Sequence, residues 1–197
     1  MPSRPISVET ADEEEHRQLL DALTLAFAGD PLMRWLFPTP HEYLRSFPGF
    51  AEHYGGRAFE MDTAFYVGNY AGAALWLPPG TEPDEAALAE LAGETLPEEK
   101  LADAWTAFDQ LGRRQPDDPH WHLPLVGVEP AHQGQGFGTA LVEHTLARCD
   151  RQEELAYLES ANPRNLSLYL RCGFELLEPV RVGSMPPIFP MIREPEP

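Results

Sequence analysis

The chain has 197 residues, 43% of them hydrophobic, and its 14 lysines and arginines against 32 aspartates and glutamates leave a formal net charge of −18. Length and apolar share suit one compact domain over 1–197, with a core that buries roughly 70% of the unfolded surface. The acidic balance excludes a general nucleic-acid binder, because a phosphate backbone is repelled by the mean field.

In chain order, a weak alternation over 4–10 around Ile6 and Val8 predicts a short strand, and Leu19, Leu20, Leu23 and Phe27 at helical spacing predict an amphipathic helix ending at Gly29. Asp30 to Phe37 is apolar but broken by prolines, so it reads as a loop or single turn lying over other elements. A helix over His41 to Tyr54 follows, closed by Gly55-Gly56. Ala64 to Val67 and Ala73 to Leu77 read as a hairpin turning at Gly68-Asn69. Residues 84–111 fit two helices around the break Leu96-Pro97. His120 to Val128, Gly134 to Cys149, Leu155 to Glu159 and Pro163 to Cys172 then alternate strand, helix, strand, helix, the form of right-handed parallel crossovers. Pro124 inside the first of these strands predicts a bulge or an unpaired edge. Glu175 to Val182 and Pro187 to Ile192 read as closing strands.

Cys149 and Cys172 lack any C-x-x-C or Cys/His spacing, and the seven histidines are scattered. Neither a disulfide scaffold nor a metal site is expected. No apolar run approaches the ~20 residues that span a bilayer, and Met1 to Pro5 leads into charged sequence without an apolar leader. The expectation is a soluble, cytoplasmic protein with no membrane or nucleic-acid partner.

Most of the chemical information lies in Val126-Gly-Val-Glu-Pro-Ala-His-Gln-Gly-Gln-Gly-Phe-Gly-Thr139, which runs from a strand end through a turn into a helix start. Glycines 134, 136 and 138 remove every second Cβ, so backbone amides can approach a ligand closely. The orphan N–H groups and positive end of the helix then converge on an anion, for which a pyrophosphate is the natural guest. A Rossmann fingerprint fails on spacing, since its third glycine falls at Thr139, and a P-loop fails because Lys100 is the chain's one lysine.

Val128-x-Pro130-x-x-Gln133-Gly134-x-Gly136-x-Gly138 resembles the acyl-CoA-binding motif of the GCN5-related N-acetyltransferases. The run Leu158-Glu159 through Asn162, Asn165, Tyr169 and Gly173-Phe174 resembles that family's second motif, in matching order and spacing. Together the two cover about 120–178. Residues 26–32 and 120–123 are similar to one bacterial branch of the family, the puromycin-type enzymes. The resemblance implies an α/β fold: a mostly antiparallel mixed sheet with a splayed parallel strand pair and helices on both faces. It also implies transfer of the acetyl group of acetyl-CoA to a primary amine of a small-molecule acceptor, by direct attack in a ternary complex, and it allows a homodimer. An acyl-CoA-binding sensor without catalysis is the alternative.

Under that resemblance, the amides of Gln133, Gly134, Gln135, Gly136, Phe137, Gly138 and Thr139 hold the pyrophosphate, and the edge of Val126, Gly127 and Val128 holds the pantetheine. Asn162 suits an N-cap, Pro163 N1 and Gly173 C′. Asn165 and Tyr169, four apart, share a helix face. The family assigns Asn165 to coenzyme contact and Tyr169 to protonating the sulfur. For the base, Glu159 ranks first. His120 and His122, on one strand face, and a water chain are the alternatives. His132 and Arg164 are weighed as phosphate contacts against solvent-exposed roles.

Overall fold

The structure, a computed structural model, describes residues 6–196. Seven strands form one sheet: β1 (Val8–Thr10), β2 (Ala64–Val67), β3 (Gly72–Leu77), β4 (His120–Val128), β5 (Leu155–Ser160), β6 (Glu175–Leu176) and β7 (Phe189–Arg193), in the order β1-β2-β3-β4-β5-β7-β6. Among the described residues, only β4 and β5 pair in parallel; the other pairings are antiparallel. The mixed, mostly antiparallel sheet expected from the resemblance is the one observed. The first predicted strand survives as β1; residues 4 and 5 lie outside the described residues.

Helices cover both faces. On one face lie α1 (His16–Phe27), α2 (Pro31–Leu36), α3 (Pro40–Gly55) and α4 (Arg57–Glu60), with α5 (Glu85–Thr95) and α6 (Glu98–Gly112) beyond them. Leu19, Leu23, Phe47, Leu75 and Leu77 form the core there, each with no exposed surface. On the other face, α7 (Phe137–Gln152), through Leu141, and α8 (Leu166–Arg171) pack over Trp76, Trp121 and Leu158. Burying side chains of this size contributes about 1.5–3 kcal/mol each before chain entropy is subtracted.

Along β4 the face reverses. Trp121 and Leu123 belong to the α7 side, whereas Leu125 belongs to the α1 side. The register explains it: Leu75 pairs with Leu125 and Leu77 with His122, so β4 carries an extra residue around Pro124. Proline has no N–H to give to the ladder, and the bulge read from the sequence is where the strand accommodates it. Beyond the bulge, Gly127 is a packing glycine, because a Cβ there would lie 2.6 Å from Ala26 Cβ and 3.2 Å from Phe27 Cε2 of α1.

Several element boundaries differ from the sequence reading for local reasons. Asp30 to Phe37 contains a helix, α2, because Asp30 Oδ1 accepts from the amides of Leu32 and Met33 and Pro31 occupies N1. The helix expected from Gly134 begins at Phe137, since Gly134 and Gly136 hold φ of +77° and +88°. The helix expected from Pro163 begins at Leu166 with Asn165, not Asn162, as N-cap. Asn162 instead closes a turn, its Oδ1 accepting from Arg164 N and its carbonyl from Asn165 N. Gly173 does end that helix, at φ +87°. Of the strand expected over 175–182, only β6 and a bridge from Val180 to Ile188 form, consistent with Pro179 lacking an N–H.

One buried ion pair closes the C-terminal side. Arg193, 4% exposed in its side chain, reaches Asp150 through Nη1 at 2.6 Å and Nη2 at 3.1 Å, and its Nε donates to the Cys172 carbonyl. It joins β7 to the ends of α7 and α8. Asp150→Ala leaves the guanidinium with the Cys172 carbonyl and Glu196, 3.6 Å away, and is expected to cost about 1.5–3 kcal/mol, the scale of a hydrogen bond to a charged group, a drop of roughly 3–12 °C in Tm for a chain of this size, read by thermal denaturation. A Tm within 2 °C of wild type would show that the pair does not hold these elements together.

Candidate active site

β4 and β5 pair over His120 to Leu123 against Leu155 to Leu158 and then part, β5 continuing against β7 through Glu159 and Ser160. From Pro124 to Val128, β4 keeps β3 on one side and has no strand on the other. This free edge, carrying Val126, borders a cavity of about 600 Å³ that also reaches Glu159, Asn165 and Tyr169. The parting begins at Pro124, the residue around which β4 is also bulged against β3.

At the end of β4 the chain makes a short turn, Pro130–His132, and enters the glycine segment. The Gln133 side-chain amide donates to the Val128 carbonyl at 3.1 Å, so this side chain closes the turn. Gln133, Gly134, Gln135 and Gly136 are exposed. Gly136 is the N-cap of α7 and brings no side chain; the first helical bond runs from Ala140 N to the Gly136 carbonyl. The amides of Phe137, Gly138 and Thr139 are therefore an uncapped helix start with its positive dipole end outward. A diphosphate fits this helix start, preceded by the exposed glycines Gly134 and Gly136. His132 pairs with Glu129 at 2.8 Å, and Arg164 is solvent-exposed; neither points to a phosphate role.

Asn165 and Tyr169 lie one helical turn apart and both line the cavity. Tyr169 is 6% exposed and packs edge-on against Phe174. Burial pushes its phenol well above the ordinary tyrosine range, and the Asp30 carboxylate and Cys172 push in the same direction. The proton therefore stays on the oxygen throughout the neutral range. Cys172 and Cys149 are buried, and burial raises both thiols, Cys149 to about 12, so neither is a thiolate nucleophile.

Glu159 sits opposite on β5. Its Oε2 accepts from the Tyr54 hydroxyl at 2.7 Å and lies 3.1 Å from His122 Nε2, with both ring and carboxylate less than a tenth exposed. Burial alone would raise this carboxyl; the charge and hydrogen bond of His122 outweigh it, joined by the hydroxyls of Tyr54 and Tyr157, and the net shift is downward. Tyr157 faces the same carboxylate without meeting a hydrogen bond in distance and angle. Glu159 thus stays ionised beside the cavity, with His122 as its partner. His120 lies further along β4 with Nδ1 2.9 Å from the Asp118 carbonyl and does not line the cavity.

Two contributors escaped the sequence reading. Tyr54 closes the hydrogen-bond set on Glu159 from α3, 105 residues away. Asp30, 8% exposed, lines the cavity near Tyr169, with its pKa raised by burial; its Asp-Pro pair was a legible helix-start signal. Among the described residues, no group of three or more His, Cys, Asp or Glu is placed to hold a metal ion, and no helix is long and apolar enough to cross a membrane.

Residues 30–174 match the model of the acetyltransferase (GNAT) family. An uncharacterised N-acetyltransferase of Schizosaccharomyces pombe is 26% identical over 210 residues, covering 97% of this chain and 84% of the relative. Among solved structures, the chain resembles a protein described as histone acetyltransferase HPA2 and related acetyltransferase from Corynebacterium glutamicum, at 25% identity and TM-score 0.69 over 98% of each chain. It shares its fold with arylalkylamine N-acetyltransferase 2 of Aedes aegypti, at 14% identity and TM-score 0.66 over 98% of this chain and 100% of that one. With both sequence motifs on a parted parallel strand pair, and the family model spanning most of its length, the chain belongs to the acetyltransferase (GNAT) family and is an acetyltransferase.

Proposed function

We propose that the protein transfers the acetyl group of acetyl-CoA to the primary amine of a small-molecule acceptor, by direct attack within a ternary complex. The observation that carries this reading is the cavity joining the free edge of β4 to Tyr169 on one side and Glu159 on the other. Uncapped amides from Gln133 to Thr139 bind the diphosphate, and the Val126 to Val128 edge hydrogen-bonds the pantetheine arm. Asn165 contacts the same arm. The acceptor nitrogen attacks the thioester carbonyl, its surplus proton passes to Glu159 directly or through water, and the carbon–sulfur bond breaks as Tyr169 gives its proton to the sulfur. Relatedness to the puromycin-type branch is part of this proposal.

Glu159 takes the base role because its carboxylate is ionised and borders the cavity, while Tyr54 and His122 fix its orientation. Glu159→Gln is expected to lower kcat/KM for the amine at neutral pH by on the order of 10². Part of the loss is recovered as rising pH supplies more neutral amine. The same group carries a stability signature. Its folded pKa is depressed, so its contribution is fully present above the unfolded value of about 4.3. That contribution is lost as pH falls through the folded value. Wild-type Tm should fall more steeply than that of Glu159→Gln below that pH. Equal kcat/KM for the two proteins at pH 7 removes Glu159 from the chemistry.

The direct test mixes protein, acetyl-CoA and an amine panel, follows free thiol colorimetrically and identifies acetylated amine by mass spectrometry. Acetylated product is the expected result. Acetyl-CoA binding with no product from any amine supports the sensor reading instead.

A further inference from the structure

The cavity extends from the β4 edge toward α5 and α6, and its far walls differ in character from the end that holds Tyr169. They are built from Leu91, Trp105, Phe108, Leu111 and Met185. α5 buries no side chain and α6 buries only Ala107. Yet both carry apolar residues at helical spacing, and those residues line this space. An amphipathic helix ordinarily gains its stability by burying such a stripe in protein. Here Trp105 and Phe108, edge-on at 6.3 Å, remain 44% and 46% exposed.

α6 is fastened by Ala107, which packs with Val180, Met185 and Ile188, and by polar contacts. Lys100 donates to the Trp35 carbonyl and lies 5.1 Å from that ring's centroid, and Asp103 accepts from Ser184 N at 3.4 Å. Just past the helix, Arg114 donates to the Glu178 carbonyl at 2.9 Å. These anchors hold an apolar wall in place with no protein side chains filling the space before it. Apolar surface so presented is a binding surface.

The charge pattern narrows the guest. The ionisable side chains facing the cavity include Asp30, Glu85 and Glu159, and none is a lysine, arginine or histidine. Asp30 lies near Tyr169 and Glu159 borders the cavity from β5, whereas Glu85 is exposed to solvent at the start of α5, where its charge is screened. The two buried carboxylates therefore suit a single cation and the apolar walls suit hydrocarbon. Building on the amine acetyltransferase reading above, we propose that the acceptor is a primary amine on a large apolar body, an alkyl chain or ring seated against Trp105 and Phe108, with its nitrogen beside Asp30 and Glu159.

The test is a series of n-alkylamines from propyl to octyl, with 2-phenylethylamine and the polar dication agmatine, at saturating acetyl-CoA with thiol release as readout. The value of kcat/KM is expected to rise about two- to fourfold per added methylene, as burial of each CH₂ implies, and octylamine is expected to exceed agmatine. Trp105→Ala and Phe108→Ala should flatten the slope, losing on the order of 10-fold on octylamine and less on propylamine. A flat or falling series, or a preference for agmatine, overturns the proposal while leaving the acetyltransferase reading intact. Should either variant fail to fold, the wild-type series decides. Calorimetry separates the two readings further: if coenzyme A does not bind, both fall. If it binds but no amine is acetylated, octylamine binding to the coenzyme A complex supports the apolar chamber, and no binding overturns it.

Discussion

Tyr169→Phe is expected to lower kcat by on the order of 10² or more, the usual contribution of a positioned acid, while acetyl-CoA affinity changes little. The substitution removes one oxygen and keeps the ring, so the contact with Phe174 and the burial of the side chain persist. What disappears is a proton donor inside the cavity. Because burial and the nearby Asp30 carboxylate hold the phenol far above its ordinary value, ionisation of Tyr169 should impose no alkaline decline on the wild-type rate below about pH 10. Single-turnover kinetics separate chemistry from product release. A variant with wild-type single-turnover rate and normal coenzyme binding removes Tyr169 from the acid role.

The second large effect is expected from Gly136→Val. At φ +88° a β-branched residue is strained whatever space it finds, and a Cβ would also come 3.3 Å from Ile6 Cδ1. Left-handed backbone costs an L-residue roughly 1–2 kcal/mol, so relief by rotating the peptide re-aims the amides at the start of α7. The valine methyls would additionally occupy the diphosphate's position. Affinity for coenzyme A should fall at least about 100-fold, the scale of losing two charge-assisted hydrogen bonds. Circular dichroism checks that the variant folds, and calorimetry reads the Kd. A folded variant that binds coenzyme A as tightly as wild type contradicts the role given to the turn.

These residues were legible because their signals are local. Three alternating glycines between a strand and a helix define a turn and its amides without reference to the rest of the chain, and Pro124 announces its own bulge. Prolines flanking α2 read as breaks and so limit the expectation to a loop or single turn, although Asp30 followed by Pro31 is also a cap and first turn. Asn162 and Asn165 are chemically equivalent as caps, and only the turn through Arg164 N selects the second. The apolar periodicity of α5 and α6 correctly marks helices, but a stripe facing a cavity has the same spacing as one facing a core. The hydrogen bond from Tyr54 to Glu159 links α3 to β5 through tertiary packing, so no local pattern could reveal it.

Central to the reading is that the glycine turn and Tyr169 serve one bound molecule. The most direct measurement is a crystal structure with coenzyme A. The predicted result has the diphosphate on the amides between Gly134 and Thr139, the arm along Val126 to Val128, and the sulfur within hydrogen-bond reach of the Tyr169 hydroxyl. A coenzyme bound elsewhere on the protein, or one on the turn with its sulfur directed away from Tyr169, would contradict it.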